Sequence, residues 1–136
     1  MAKSSGLAWT TLSVDDSGGT PRDIRNDITN FEFATPRAVQ EITGIDKSAF
    51  ERLLLLADFS ITLNGVYNPT ATTSSHAVLK TVSSSSVLRS ITMTVLAQSL
   101  NNECIITDYN VTRADSGELT WTSPAVLADG AVPTWS

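Results

Sequence analysis

Polar and apolar positions alternate along most of the chain. Residues 9–15 set Trp9, Thr11, Ser13 and Asp15 on one face and Thr10, Leu12 and Val14 on the other, the period of a strand. Phe31 and Phe33 alternate with Asn30 and Glu32 and predict a second strand. A third, at 39–43, is expected to pair back on it as a hairpin through the turn Thr35-Pro36-Arg37-Ala38. Residues 59–67 carry Phe59, Ile61 and Leu63 against Ser60, Thr62 and Asn64. Residues 89–97 carry Ile91, Met93 and Val95 against Ser90, Thr92 and Thr94. Asn101-Asn102 reads as a turn, because both residues tolerate a left-handed backbone. Strands are expected beyond it at 103–111 and 118–123, with Pro124 interrupting the last before 125–127 resumes. Between them, residues 75–82 predict a short helix with Ser74 or Ser75 as N-cap. Seven or eight short strands and one helix make a mainly β fold, a sandwich or a barrel.

One stretch breaks the alternation. Leu53, Leu54, Leu55 and Leu56 are consecutive, inside a segment, 44–58, that joins two strands. Connections normally run over the surface and are polar. Four leucines in a row cannot all face the chain's own core from one helix or one strand. Two readings stand. Asp46 can cap an amphipathic helix with Phe50, Leu53, Leu54 and Ala57 at helical spacing. Alternatively, 44–58 is a projecting apolar loop that another copy of the chain covers. Each leucine hidden in that way is worth roughly 1.5–3 kcal/mol, which favours the second reading. It places Ile45, Phe50 and Leu53 to Leu56 at contacts between subunits.

Composition narrows the class. The chain has 136 residues, 41% hydrophobic and 17% charged, which describes one globular domain rather than a disordered chain. Residues 1–6 read as small and polar, and 1–8 are expected to form a flexible arm. No apolar run approaches the ~20 residues of a membrane span, and the start does not have the pattern of a secretory signal. The single cysteine, Cys104, excludes an internal disulfide and fits a reducing cytoplasm. Net charge is −5 with no cluster of Lys and Arg, so tight nucleic-acid binding is not expected.

Catalytic constellations are absent from the pattern. His76 is the one histidine and reads as a helix-surface residue; no metal-ligand spacing accompanies it. There is no GxSxG elbow and no Gly-rich phosphate loop. Asp15-Asp16 lacks the ligand spacing of a calcium loop and reads as a solvated turn. Cys104, beside Ile105-Ile106 and Glu103, reads as a buried thiol of raised pKa, not a nucleophile. No enzyme, cofactor or metal is therefore expected. The hydroxyl-rich faces of 60–64 and 90–94 fit either a solvated sheet face or the wall of a water-filled passage.

Residues 39–48, VQEITGIDKS, followed by Glu51-Arg52-Leu53 and then 57–68, ADFSITLNGVYN, resemble the major tail tube proteins of lambda-like long-tailed bacteriophages. Those proteins carry an extended "vT-x-D" segment, a connecting loop, and a strand with "D-x-x-x-x-x-x-G". The finish Gly130-Ala131-Val132-Pro133-Thr134 is similar to the family's Gly-x-x-Pro-Thr. The similarity runs from about Ile28 to the end. Where this chain has four leucines, family members often have a more broken passage.

The resemblance implies two packed antiparallel sheets, a sandwich or partly open barrel, with one short flanking helix and a long inter-strand loop. It implies a structural virion protein whose subunits close into hexameric rings and stack into a hollow tube, assembled in the host cytoplasm. Glu41, Ser60, Thr62, Asn64, Ser90, Thr92 and Thr94 are then candidates for the lumen wall, past which DNA moves without tight binding. The implied partners are the chain itself and the tail tip, tape measure and tail terminator proteins. A different class also fits the strand pattern: a monomeric β-sandwich binding module, such as a capsid decoration or adhesion domain, with Trp9, Trp121 and Trp135 as a candidate site.

Overall fold

The computed structural model describes residues 3–136; of the expected arm, Met1 and Ala2 lie outside the described residues. Gly6–Ala8 is a single 3-10 turn, whose N-cap Ser5 accepts the Leu7 N–H on its hydroxyl at 3.3 Å. The strands are β1 (Trp9–Asp15), β2 (Pro21–Asp23), β3 (Ile28–Ala34), β4 (Arg37–Glu41), β5 (Arg52–Ala57), β6 (Ser60–Val66), β7 (Arg89–Val95), β8 (Gln98–Ile106), β9 (Asn110–Arg113) and β10 (Leu119–Leu127). One helix, α1 (Ser75–Leu79), lies between β6 and β7. The fold is mainly β, with two antiparallel sheets and no closed barrel.

The sheets are unequal. The large one runs β2-β1-β7-β8-β10-β6-β3, with β9 beside β10; the small one is the hairpin β4-β5. In the large sheet β1 and β3 are five strand spacings apart. A flat sheet would separate them by roughly 24 Å at about 4.8 Å per strand. Yet the Trp9 ring of β1 meets the Phe31 ring of β3 edge-on, at 5.1 Å between centroids. The sheet therefore bends round on itself. No ladder joins β1 to β3, so the bend leaves an open seam, bridged by aromatic rings.

The core fills the inside of the bend. Leu12 and Val14, Ile61 and Leu63, and Ile91 and Met93 point in at the period of two that the sequence predicts, and Leu100 and Cys104 of β8 join them. Trp121 is the largest side chain among them, and Val78 and Leu79 of α1 pack against the same cluster.

Several boundaries differ from the sequence reading, each for a local reason. Segment 39–43 does not return along β3. Its strand, β4, pairs with β5, Val39 opposite Leu54 and Gln40 opposite Leu53, with a register shift between Arg37 and Val39. The neck is pinned where Asp58 N–H donates to the Pro36 carbonyl at 2.9 Å. The leucine run is neither helix nor loop but strand, since β4 offers β5 an edge and no helix body lies nearby. Only 42–51 remains a connection, and Glu51 N–H closes it on the Thr43 hydroxyl at 2.9 Å.

Helix α1 is shorter than 75–82, because Thr81 and the serines after it form successive turns, Ser85 N–H bonding the Thr81 carbonyl at 3.0 Å. The β7–β8 turn is at Leu96-Ala97, both with positive φ, and not at Asn101-Asn102, which stand inside β8. Tight hairpin turns favour Asn and Gly, and Leu-Ala concealed this one. The 103–111 segment breaks after Ile106 into β8 and β9. Pro124 does not interrupt β10. It stands where the neighbour of β10 changes from β9, ending at Thr122 opposite Asn110, to β8, starting at Ala125 opposite Ile106.

Candidate assembly surfaces

The hairpin β4-β5 stands off the large sheet and is apolar on both faces. Leu54, opposite Val39, shares a face with Leu56; Leu53 and Leu55 share the other. All four are exposed, Leu56 at 86%, and Ile45 and Phe50 in the connection at 108% and 68%. A monomer that leaves so many large apolar side chains contiguous in water carries an interaction surface. Arg37 stiffens the base of the hairpin by donating to the Leu55 carbonyl at 2.7 Å, and the Arg52 guanidinium lies over the Phe50 ring at 4.8 Å.

The second surface is the outer face of the adjoining strands β7-β8-β10-β6. Register puts Ser90 opposite Glu103, Thr92 opposite Asn101 and Thr94 opposite Ser99. It puts Asn64 opposite Thr122 and Thr62 opposite Pro124. Two hydroxyl stripes that the sequence showed separately are thus brought onto one face. They are laced by side-chain bonds: Ser90 donates to Glu103 at 2.9 Å, Thr92 to Asn101 at 3.1 Å, and Thr122 to Asn64 at 2.8 Å. Thr94 and Ser99 bond at 2.9 Å, and Asn64 donates on to Asn30 of β3 at 2.7 Å. Val66, Ile105 and Val126 interrupt the face; Glu103 is its one charge, and no Lys or Arg points out of these four strands. Ser60 lies on the same face; Glu41 does not, being on β4 opposite Arg52.

The scaffold beneath is tied by residues that the sequence reading did not single out. Asp27, in the 3-10 turn before β3, is buried and accepts from Ser75 N–H and the Asn68 amide. Arg89, 2% exposed, donates to the carbonyls of Val78 and Asp15 at 2.7 and 3.1 Å and to the Thr81 hydroxyl at 2.9 Å. Burial lowers its pKa, opposed by Asp16 and Asp15. A Cβ on Gly65 would run into the Asp27 carbonyl and lie 2.7 Å from the Trp121 ring. Gly65 is the glycine of the quoted strand motif, so the motif marks a close approach.

The other candidate groups are used inside the fold. Asp16 accepts from Thr20 and Gly18 N–H and from Arg22, bonds that hold its pKa down, the Thr20 bond foremost. His76 is half-buried, its Nδ1 3.1 Å from the Tyr109 hydroxyl and its ring against Tyr67. Cys104 is buried, and desolvation pushes its thiol up to about 12. Trp121 is in the core, while Trp9 and Trp135 flank Phe33, so the three tryptophans form no exposed cluster. Among the described residues no three His, Cys, Asp or Glu side chains group to hold a metal, and no helix is long and apolar enough to cross a membrane.

No protein-family model matches the chain, and no curated protein matches it. Solved structures do. One is a chain of the virion of a native gene transfer agent particle: TM-score 0.74 at 13% identity, covering 98% of this chain and 99% of that one. Another comes from the tail of an empty gene transfer agent particle, computed with helical refinement and C6 symmetry: TM-score 0.70 at 15% identity, covering 98% of each. The chain shares its fold with these virion and tail chains. At these identities the likeness is one of fold, and it spans nearly the whole length. It supports the tail tube resemblance read from residues 28–136.

Proposed function

We propose that this chain is a tail tube subunit of a phage or phage-like particle. Copies close into hexameric rings through heterologous contacts, and rings stack into a hollow tube. The hairpin β4-β5, with Ile45 and Phe50 in its connection, is the element that docks on adjacent copies. The outer face of β7-β8-β10-β6, with Ser60, Thr62, Asn64, Ser90, Thr92 and Thr94, lines the bore. A wall of hydroxyls and amides stays wet, and with Glu103 as its one charge it gives DNA phosphates no cation to hold. The chain supplies no reaction. It serves in the virion, and the tail tip, tape measure and tail terminator proteins are its implied neighbours.

The observation that carries this reading is the leucine hairpin, four consecutive leucines exposed on two faces, while the large sheet buries the apolar residues of its inner face at the period of its strands. The C6 symmetry of the gene transfer agent tail supports the ring number. Electron microscopy of the purified chain tests the reading. Tubes or stacked rings are expected from the natural sequence. The double variant Leu54→Asp/Leu55→Asp is expected to keep the β-sheet circular dichroism and cooperative melting of the parent while remaining monomeric. Tubes formed by that variant as readily as by the parent would remove the hairpin from the assembly.

A further inference from the structure

The open seam between β1 and β3 also forms a cleft. It holds about 700 Å³ and is lined mainly by Leu7, Trp9, Ile28, Phe31 and Phe33; its charged lining residues are Glu32 and Arg25, the latter paired with Asp23 at 3.0 Å. It is an apolar trough along an unpaired strand edge, a feature that folded chains normally cover. The chain's own hairpin does not cover it: no residue of β4 or β5 lines the cleft, and Leu54 and Leu56 are exposed.

We propose that this seam is the receptor for the hairpin of a second copy, which seats its Val39, Leu54 and Leu56 face there. The inference rests on the tube reading for the existence of contacts between copies and adds where the hairpin lands. Two features of the molecule select that occupant. The hairpin face and the trough are both apolar and both unpartnered within the chain. Their flanking charges also offer one cross pair. Arg52 shares the β5 face of Leu54 and Leu56, with Glu41 opposite it on β4; at the trough Arg25 is already held by Asp23, and among the described residues neither Arg52 nor Glu32 makes an ion pair within the chain. With the leucines in the trough, Arg52 reaches the rim and meets Glu32. The opposite hairpin face, Leu53 and Leu55, remains free for another neighbour, so one hairpin is a wedge between copies.

Charge reversal and covalent trapping test the placement. Glu32→Arg and Arg52→Glu are each expected to raise the concentration needed for assembly several-fold, and the double reversal to return it towards the parent value. In a Leu7→Cys/Leu54→Cys chain, mild oxidation is expected to yield disulfide-linked dimers and longer ladders on a non-reducing gel; Cys104 is buried and stays out of the reaction. If the parent assembles but the reversals have no effect, or the double reversal fails to rescue, the hairpin lands elsewhere while the tube reading stands. A disulfide formed within one chain overturns the second copy as occupant. A parent chain that stays monomeric at every concentration overturns the tube reading and this inference together.

Discussion

A carboxylate oxygen of Asp27 accepts the Ser75 backbone N–H at 2.7 Å, joining the turn before β3 to the first turn of α1. The other oxygen takes the Asn68 amide at 2.8 Å. A buried carboxylate is tolerated only where donors surround it. Here it draws the segment after β6 and the start of α1 onto the edge of the large sheet. Asp27→Ala leaves two donors without an acceptor and is expected to cost about 2–4 kcal/mol in urea denaturation. Asp27→Asn keeps one oxygen and is expected to cost roughly half as much. Equal stability of all three proteins would show that α1 is held by packing alone.

Arg89 does the same work from the other side of α1. Its guanidinium serves the Val78 and Asp15 carbonyls and the Thr81 hydroxyl from a position with almost no solvent. Arg89→Met fills much of the volume but removes every donor, and is expected to destabilise by about 2–4 kcal/mol. Arg89→Lys restores a charge without the planar fork and should recover only part of that loss. Thermal melts of the three chains would decide the point, a Lys variant as stable as the parent being the contrary result.

What the sequence made legible follows from how local each cause is. The strands whose inner positions alternate, β1, β3, β6 and β7, could be read because Leu12, Phe33, Ile61 and Met93 announce the buried face by spacing alone. The hydroxyl stripes could be read for the same reason, but not their merger into one face, which depends on the strand order β7-β8-β10-β6. The leucine run misled because periodicity describes burial, and β5 buries nothing in its own chain. Its four leucines alternate between two exposed faces, a pattern no core-directed rule anticipates. Asp27 and Arg89 gave no signal at all. Each sits in an ordinary polar stretch, and only tertiary approach shows what they bond. Gly65 was visible in a motif, while its reason, the Trp121 ring against its backbone, was not.

Alkaline pH should weaken the fold. Desolvation, with smaller contributions from Glu103 and Asp129, raises the Cys104 thiol from 9.0 to about 12. Desolvation first, then Tyr67 and Asp27, raises the Tyr109 hydroxyl from 10.0 to about 12. Above pH 9 the unfolded chain sheds protons that the folded chain keeps. The unfolded state then binds fewer protons, so the free energy of unfolding falls as pH rises, until the folded groups ionise near pH 12. Tyr109 is half exposed, so Cys104 should dominate. Urea titrations across this range check it: Cys104→Ala should flatten the decline, and Tyr109→Phe should flatten it less. The same burial predicts that Cys104 reacts with a thiol reagent only after denaturant is added.

The absence of cations from the outer face can be tested by adding them. Asn101 and Thr120 point outward from β8 and β10, are exposed, and make no contact with the core. Asn101→Lys/Thr120→Lys should leave folding and tube assembly unchanged, since neither residue belongs to the hairpin or the seam. If this face lines the bore of a closed ring, the copies place a repeating girdle of ammonium groups around any DNA inside. Each phosphate contact releases counterions, so retention should rise steeply at low salt and vanish at high salt. The measurement is the fraction of short duplex DNA that co-sediments with assembled tubes across a salt series. The parent tubes should retain almost none at any salt, and the lysine tubes should retain DNA with a clear negative salt slope. Binding by dissociated monomers equal to that of tubes would place the lysines on the outside of the tube. In that case another part of the chain would line the bore.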